Sequence, residues 1–211
     1  MKRTKAGALG FAVLGTLMAA AVVFICLSQR QAAPRMLFRT HGASQCAEQM
    51  LTKVCSGDYT GAAAYLYGNP RLGGQQTRTD QVTQQIWDAF INSLHFELVG
   101  NTYATVSGVA QDVRFESLDI PSVTGGLKQL APEMLVERAE NAEDMSEIYT
   151  DNHEYRDDFT AVLLHDAAAQ AIAAGEERQQ ELTLNLIYDD GRWWVMPDQA
   201  LLNAISGGIL E

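Results

Sequence analysis

The hydrophobic positions of this chain change their spacing twice, and each spacing predicts a different kind of element. Residues 6–27 form an uncharged apolar run, which at about 1.5 Å per residue makes a helix roughly 33 Å long. Residues 43–55 and 80–94 carry apolar side chains every three or four positions, the spacing of amphipathic helices. From Phe96 onward apolar and polar positions alternate, as they do in strands, and clear alternation returns over residues 180–197.

Punctuating residues indicate where the predicted helices begin and end. Gly57 is expected to end the first helix, and Asp58 is suited to cap a short second helix. Thr79 or Asp80 is expected to start the third. The core-facing positions are predicted to be Ala43, Cys46, Ala47, Met50, Leu51, Val54 and Cys55 in the first helix, and Val82, Ile86, Trp87, Phe90, Ile91 and Leu94 in the third.

Two hairpins are predicted to form an antiparallel sheet. In the first, the Gly-Asn pair at 100–101 is expected to turn the chain, and a change in the parity of apolar positions near Ser117 predicts a bulge or bend. The other hairpin turns at the Asp-Gly pair at 190–191. Asp198 is then expected to cap a closing helix over residues 199–206.

The stretch between the hairpins, residues 122–175, is helical in character, and Pro132 is expected in the first turn of a new helical segment. The fold class is therefore predicted as α+β: a curved antiparallel sheet wrapped by helices, cone-like in shape and preceded by one N-terminal transmembrane helix. The predicted organisation is a basic cytoplasmic tail (1–5), a transmembrane anchor (6–28), a linker (29–42) and a folded domain (43–208).

The apolar run is interpreted as an uncleaved anchor. A cleaved signal would be cut just before Pro34 or within an alanine triplet that further apolar residues follow, and a lipoprotein signal fits poorly because isoleucine precedes Cys26. Three basic residues lie on each side of the run, but the free amino terminus joins the first three. We therefore expect a single-pass protein of the cell membrane with its domain on the extracytoplasmic side.

Charge is distributed unevenly along the chain. All 26 acidic residues lie after position 42, together with nine of the 15 basic ones, so the domain carries about −17 while the whole chain carries −11. Such a domain is expected to bind no nucleic acid, which requires lysine and arginine against phosphates, and to stand away from anionic lipid head groups. Cys46 and Cys55 lie too far apart on one predicted helix to form a disulfide, and are expected to be small buried residues.

Two segments resemble domains of the nuclear transport factor 2-like (ketosteroid-isomerase-like) cone fold. They are residues 56–66 (SGDYTGAAAYL), between the first two helices, and residues 188–195 (YDDGRWWV), a hairpin that ends in tryptophan before a helix. Extracytoplasmic domains of this fold occur in bacterial membrane-anchored proteins and lipoproteins of unknown function. The resemblance spans residues 43–208, although residues 122–175 are longer than it implies. The fold hosts enzymes, transport modules and interaction domains alike.

Enzymes of this fold place acids and bases on the concave face of the sheet. The residues of this chain that correspond in kind are His95, Tyr103, Asp112 and Glu116. Because His95 alternates with the apolar Phe96, these side chains are equally expected to face solvent. No motif of the enzymes of this fold matches these positions residue by residue, so the resemblance implies no catalytic residue.

Carboxylate and imidazole groups are concentrated in the helical stretch between the hairpins. Between residues 133 and 158, ten carboxylates stand against two arginines, and we interpret them as a solvated face because EF-hand spacing is missing. His153 and Asp157 are four positions apart, as on one helix face, with Glu154 and His165 nearby. They lack a third ligand at definite spacing, so we predict no metal site and no cofactor.

Aromatic residues are the favoured contacts. Trp193 and Trp194 are consecutive in a strand and must point to opposite faces, so one is expected in the core and the other at a pocket or surface. The predicted ligand or partner contacts are Trp193, Trp194, Trp87 and Tyr103. The predicted function is a membrane-anchored extracytoplasmic binding or scaffold module without catalytic activity, with a membrane or cell-surface protein as partner. The alternative is a small-molecule-binding protein or an enzyme that uses the cone cavity.

Overall fold

The computed structural model describes residues 40, 42–70, 72 and 80–208. The predicted basic tail and transmembrane anchor lie outside these residues, as does all but the end of the linker. Among the helices that are described, none is both long enough and apolar enough to cross a membrane. The domain from residue 43 onward is α+β, which confirms the predicted fold class at that level.

Three helices begin the domain where the apolar spacing predicts them. They are α1 (residues 42–55), α2 (Tyr59–Ala63) and α3 (Gln81–Ser93). α1 is followed by Gly57 in left-handed backbone, with φ of +75°. The Asp58 carboxylate accepts a hydrogen bond from the backbone N–H of Gly61 at 2.8 Å. The Asp80 carboxylate accepts one from Thr83 at 2.8 Å, so both predicted caps are present.

Within the described residues, four strands pair antiparallel in a single sheet, in the order in which they occur in the chain. They are β1 (His95–Ala104), β2 (Val109–Leu118), β3 (Glu177–Asp189) and β4 (Arg192–Val195). Asp190 (φ +52°) and Gly191 (φ +82°) make the predicted two-residue turn between β3 and β4. A parallel bridge between Leu66 and Val195 attaches the segment after α2 to β4.

The stretch between the hairpins is helical, as predicted, and it consists mainly of two long helices. They are α4 (Ile120–Asn141) and α5 (Asp157–Ala173), with a short 3₁₀ turn at Met145–Glu147 between them. α4 packs against α5, and α5 packs against α3. The closing helix is α6 (Gln199–Ser206). The carboxylate of Asp198 caps it by accepting a hydrogen bond from the N–H of Leu201 at 2.8 Å.

One face of the sheet, which we call the inner face, carries the hydrophobic core. Its buried side chains come from alternate positions of the strands: Val109, Val113, Phe115, Leu184, Leu186 and Val195. Side chains of α1, α3 and α6 complete the same core, including Leu51, Phe90 and Ile205. Removal of this apolar surface from water, at about 25 cal/mol per Å², is the main favourable contribution to folding.

The opposite face of the sheet, the outer face, is polar. Glu97, Arg114 and Glu181 are cross-strand neighbours on β1, β2 and β3. Arg114 forms ion pairs with Glu97 at 2.9 Å and with Glu181 at 2.8 Å. Because all three side chains are partly exposed, each pair is expected to contribute no more than about 1 kcal/mol.

The first hairpin turns later than the sequence predicts. β1 continues through residues 100–101, and the chain turns over residues 105–108. Gly100, with φ of +65°, lies in an irregular part of the pairing between Val99 and Tyr103. The predicted turn at 100–101 is therefore wrong, and glycine at this position serves a bulge in β1 instead.

Two further predictions, on β2 and α4, are also wrong. β2 and β3 stay in register through Ser117 to Leu118, so the predicted bulge near Ser117 does not form. Leu118 is buried because Gly175, which follows α5, closely approaches its side chain. Pro132 lies inside α4 and does not begin a new helical segment.

Candidate partner-binding surface

β4 presents two tryptophans on opposite sides of the sheet. Trp193 pairs with Tyr188, and Trp194 pairs with Ile187, so the first side chain belongs to the inner face and the second to the outer face. Trp193 packs against the core, and its ring meets that of Tyr188 edge-on, with the centroids 5.4 Å apart. The two tryptophans therefore divide between core and surface, as strand alternation predicts.

Three contacts hold Trp194 in place on the outer face. Its Nε1 donates a hydrogen bond to the backbone oxygen of Asp189 at 3.1 Å. The guanidinium carbon of Arg192 lies 3.4 Å from the centroid of its ring. The ring of Tyr67 meets it edge-on, with the centroids 6.2 Å apart. We call Tyr67, Arg192 and Trp194 the aromatic–guanidinium cluster.

Local backbone structure brings these three residues together. Arg192 and Trp194 are two positions apart in β4, so their side chains project from the same face. Tyr67 is placed by the bridge to β4, because its backbone N–H donates a hydrogen bond to the oxygen of Val195 at 2.9 Å. Tyr67 is 41% exposed and Trp194 is partly exposed. The cluster is thus both ordered and accessible.

The sequence identifies Trp194 as a candidate contact but neither of the other two members. Arg192 carries a usable signal, because strand alternation puts it beside Trp194. Tyr67 carries none, since it precedes α3 and reaches Trp194 only through the pairing of Leu66 with β4.

The other two predicted contacts, Trp87 and Tyr103, lie elsewhere in the domain. Trp87 is in the core, 7% exposed, with the rings of Tyr59 and Phe90 each 5.5 Å from it between centroids. Tyr103 lies on β1 and is 45% exposed. The structure brings neither of them into the aromatic–guanidinium cluster.

The four candidate acid and base residues of the sheet all lie on its outer face. The hydroxyl of Tyr103 donates a hydrogen bond to Asp112 at 3.1 Å, and Asp112 also accepts one from the hydroxyl of Thr183 at 2.6 Å. His95 and Glu116 are direct partners across β1 and β2. These groups form a polar network on the face opposite to the core, so they do not converge inside it.

The imidazole and carboxylate residues of the insertion do not share a helix face. His153 has φ of +60° and lies in the loop before α5, which begins at Asp157. The predicted placement of His153 and Asp157 on one helix face is therefore wrong. Within the ranges that the structure describes, no group of three histidine, cysteine, aspartate or glutamate side chains is arranged to hold a metal ion.

The two described cysteines, Cys46 and Cys55, are free thiols. Burial raises the pKa of each to about 11. The thiol of Cys46 donates a hydrogen bond to the backbone oxygen of Trp193 at 3.3 Å. Both thiols therefore stay protonated at neutral pH, where a thiolate would be needed for nucleophilic chemistry.

A groove of about 790 Å³ lies between α3 and α5. Its lining is dominated by carboxylate and carboxamide side chains: Asp80, Gln81, Gln84, Gln85, Asp88 and Asn92, with His165 from α5. Part of this lining is already paired, because the Nε2 of Gln84 donates a hydrogen bond to Asp88 at 2.7 Å. Ala89, Ala169 and Ile172 complete the lining, so the groove is broad and has both polar and apolar surface.

Comparison of this chain with known protein families, with curated proteins and with solved structures finds no match. The geometry of the described residues is thus what points to a function. Within that geometry, the aromatic–guanidinium cluster brings large and ordered side chains together at the surface.

Proposed function

We propose that this chain is a membrane-anchored, extracytoplasmic binding or scaffold module without catalytic activity, and that a partner protein contacts the aromatic–guanidinium cluster. The observation that carries this proposal is the stacking of Arg192 on the ring of Trp194, with Tyr67 against the same ring. Tryptophan, tyrosine and arginine are the residue types that most often dominate the binding energy of protein interfaces.

The ring of Trp194 is already restrained before a partner binds, and this favours binding. The hydrogen bond from Trp194 to Asp189 and the contacts with Arg192 and Tyr67 already restrict the ring. A partner that covers it therefore avoids part of the ordering penalty of about 0.5–1.5 kcal/mol for each side chain that binding immobilises. The attraction between the guanidinium and the indole ring also rises to about 2 kcal/mol when water is removed from it.

Side chains of the hydrophobic core fill the inner face of the sheet, and this supports a binding site on the surface of the domain. Leu184, Leu186 and Val195 are each at most 1% exposed and belong to one continuous core. The alternative, a small-molecule-binding protein or an enzyme, needs a cavity on this face, and such cavities typically have about 300–1,000 Å³. Apolar side chains occupy that space in the described domain, so we place binding on the outside.

We propose further that the domain has the nuclear transport factor 2-like cone fold and is tethered through residues 6–28. The order of its elements supports the first part: three helices, a hairpin, two long helices, a second hairpin and a closing helix. The sequence supports the second part. An uncharged run long enough to span a bilayer follows Lys2, Arg3 and Lys5.

The proposed contact is tested by affinity capture from the producing cells. The tagged full chain is solubilised in nonionic detergent, and the captured proteins are quantified by mass spectrometry for the wild type, Trp194→Ala and Tyr155→Ala. Tyr155 is the matched control because it is an aromatic residue of the insertion that is 48% exposed. We expect a protein that is captured by the wild type and the control, and about tenfold less by Trp194→Ala.

Capture that is equal for all three chains contradicts the contact. An unfolding temperature of Trp194→Ala that stays well above the temperature of the capture experiment shows that any loss of capture does not come from loss of the fold. A reproducible extra small-molecule mass on the full chain in native mass spectrometry favours the alternative function instead.

The orientation of the anchor is tested separately, with protease added to intact cells that produce the chain. An extracytoplasmic domain is digested without lysis, while a cytoplasmic marker protein stays intact. A domain that is protected until the cells are lysed contradicts the proposed topology.

A further inference from the structure

β1 is the edge strand at the end of the sheet away from β4. From His95 to Val99 its pairing with β2 is regular, and the irregularity that follows leaves these residues as the straight part of the edge. In an antiparallel pair, every second residue of a strand directs its N–H and C=O groups away from the partner strand. In the part of the chain that the structure describes, no strand pairs with the outward-facing groups of residues 95–99.

The inner side of this edge is apolar and only partly covered. Phe96 and Leu98 are half-buried, whereas their partners on β2, Phe115 and Val113, are 2% and 0% exposed. The inner face of the sheet is therefore less completely covered at β1 than at β2. An apolar side chain beside Phe96 and Leu98 removes further apolar surface from water.

The outer side of the same edge is acidic. The side chain of Glu97 is 67% exposed, and Glu116 and Glu181 lie near it on β2 and β3, around Arg114. A shallow depression of about 90 Å³ opens here, lined by His95, Phe96, Glu97, Arg114 and Glu116. Three carboxylates around one guanidinium leave a net negative charge, which attracts a cationic side chain.

We propose that residues 95–99 accept an extended segment of a partner protein as a fifth strand, and that this segment alternates basic and apolar side chains. Its backbone completes the hydrogen bonds of the edge. Its apolar side chains cover Phe96 and Leu98, and its basic side chains face Glu97 and Glu116. Main-chain pairing supplies affinity in such complexes, and the alternate side chains supply specificity.

A second copy of this chain fits the edge less well than a basic segment does. The domain carries about −17, so two copies repel each other. Pairing of two β1 edges also brings the acidic outer rows of both copies side by side, which is destabilising. The site goes beyond the proposed function, because it lies at the other edge of the sheet from the aromatic–guanidinium cluster and uses none of its residues.

The strand addition is tested with the full chain in nonionic detergent and short fluorescent peptides, whose binding is followed by anisotropy. One peptide alternates lysine and valine, and a second has glutamate in place of lysine. A third peptide is the lysine–valine peptide with N-methyl groups on the backbone nitrogens of its lysines. A fourth carries the N-methyl groups on the backbone nitrogens of its valines instead. Alternate N–H groups of an added strand point the same way, so only one of the methylated peptides loses the donors that face β1.

We expect the lysine–valine peptide and one methylated peptide to bind. The glutamate peptide and the other methylated peptide are expected to bind about tenfold more weakly or less. Amide hydrogen exchange of residues 95–99 slows when the lysine–valine peptide is bound. No binding of that peptide, or equal binding of the two methylated peptides, overturns the proposal.

Substitutions locate the bound peptide on the domain. Glu97→Gln combined with Glu116→Gln removes two charges at the edge and is expected to weaken binding about fivefold. Glu133→Gln combined with Glu137→Gln removes two exposed charges from α4 and is expected to leave binding within about twofold. Equal weakening by the two pairs means that only net charge is sensed, and this also overturns the proposal.

Discussion

The hydroxyl of Tyr59 donates a hydrogen bond to the backbone oxygen of Ile205 over 2.6 Å, and so joins α2 to α6 inside the core. Tyr59→Phe removes this donor from a buried acceptor, so we expect the free energy of unfolding to fall by about 1–3 kcal/mol. Tyr67→Phe is the control, because Tyr67 is exposed, and it is expected to change stability by less than about 0.5 kcal/mol. Urea unfolding followed by circular dichroism measures both, and equal effects contradict the prediction.

The two tryptophans of β4 are expected to differ in their contribution to stability. Trp193→Ala removes a ring that packs against the core, and we expect a loss of about 3 kcal/mol. Trp194→Ala removes a ring on the outer face and its contacts with Arg192 and Tyr67, and we expect a loss of about 1 kcal/mol. Urea unfolding of the two variants provides the comparison. A larger loss for Trp194→Ala than for Trp193→Ala contradicts the assignment of faces.

Alanine is expected to act in opposite directions at two glycines. A Cβ on Gly108 lies 2.2 Å from the backbone oxygen of Leu186, so Gly108→Ala forces β2 away from β3 and lowers stability by about 1–3 kcal/mol. Gly125 lies inside α4, and apart from the neighbouring backbone of the helix no described atom comes within 4 Å of its Cβ position. Gly125→Ala is expected to raise stability by about 0.5–1 kcal/mol. Thermal unfolding measures the two shifts, and the same sign for both is the contradicting result.

The cap of α2 is expected to make stability depend on pH. Hydrogen bonds from the Lys53 ammonium and from the backbone N–H of Gly61 lower the pKa of Asp58. The unfolded-state pKa of an aspartate is about 3.9. The ionised carboxylate therefore stabilises the fold above that pH, and its contribution is lost as the pH falls through the lower folded-state pKa.

Asp58→Asn removes the negative charge but keeps a capping side chain, because asparagine also caps helices. We expect the variant to unfold at a lower temperature than the wild type at pH 7, and the gap to narrow as the pH falls below the unfolded-state pKa of about 3.9. Glu133→Gln is the control for the removal of one exposed charge. A gap that persists unchanged at low pH shows that ionisation of Asp58 has no part in it.

Elements whose ends depend on one local residue could be predicted from the sequence. Asp58, Asp80 and Asp198 each cap the helix that the pattern predicts, because a cap needs only a side chain that reaches an N–H three residues on. The turn at 190–191 is equally local, since both of its residues adopt positive φ.

Two of the predictions that failed, on the turn at 100–101 and on the bulge near Ser117, concern residues whose role is decided by other parts of the chain. A glycine with positive φ serves either a turn or a bulge, and at Gly100 the bulge is formed. The amide of Gln111 accompanies it by donating a hydrogen bond to the oxygen of Val99 at 3.2 Å. Leu118 is an apolar residue at a position of outer-face parity, which is why the sequence indicates a change of parity near Ser117. It is buried there without a bulge, because Gly175 closely approaches its side chain.

Only the part of the candidate site that depends on local structure could be predicted from the sequence. Alternation along β4 places Arg192 and Trp194 on one face, and it needs no knowledge of the rest of the fold. Tyr67 joins them through a bridge between segments that are far apart in the chain. The edge of β1 is also a tertiary property, because the order of strands decides which of them is left at the end.

The contacts that close the domain join its first helices to its last strand and helix. Leu66 pairs with Val195, and Tyr59 bonds to Ile205. A ribosome adds about 5–20 residues per second, so α1 and α2 are made several seconds before the residues that complete their core. The core of the domain therefore cannot be completed until its last helix has been synthesised.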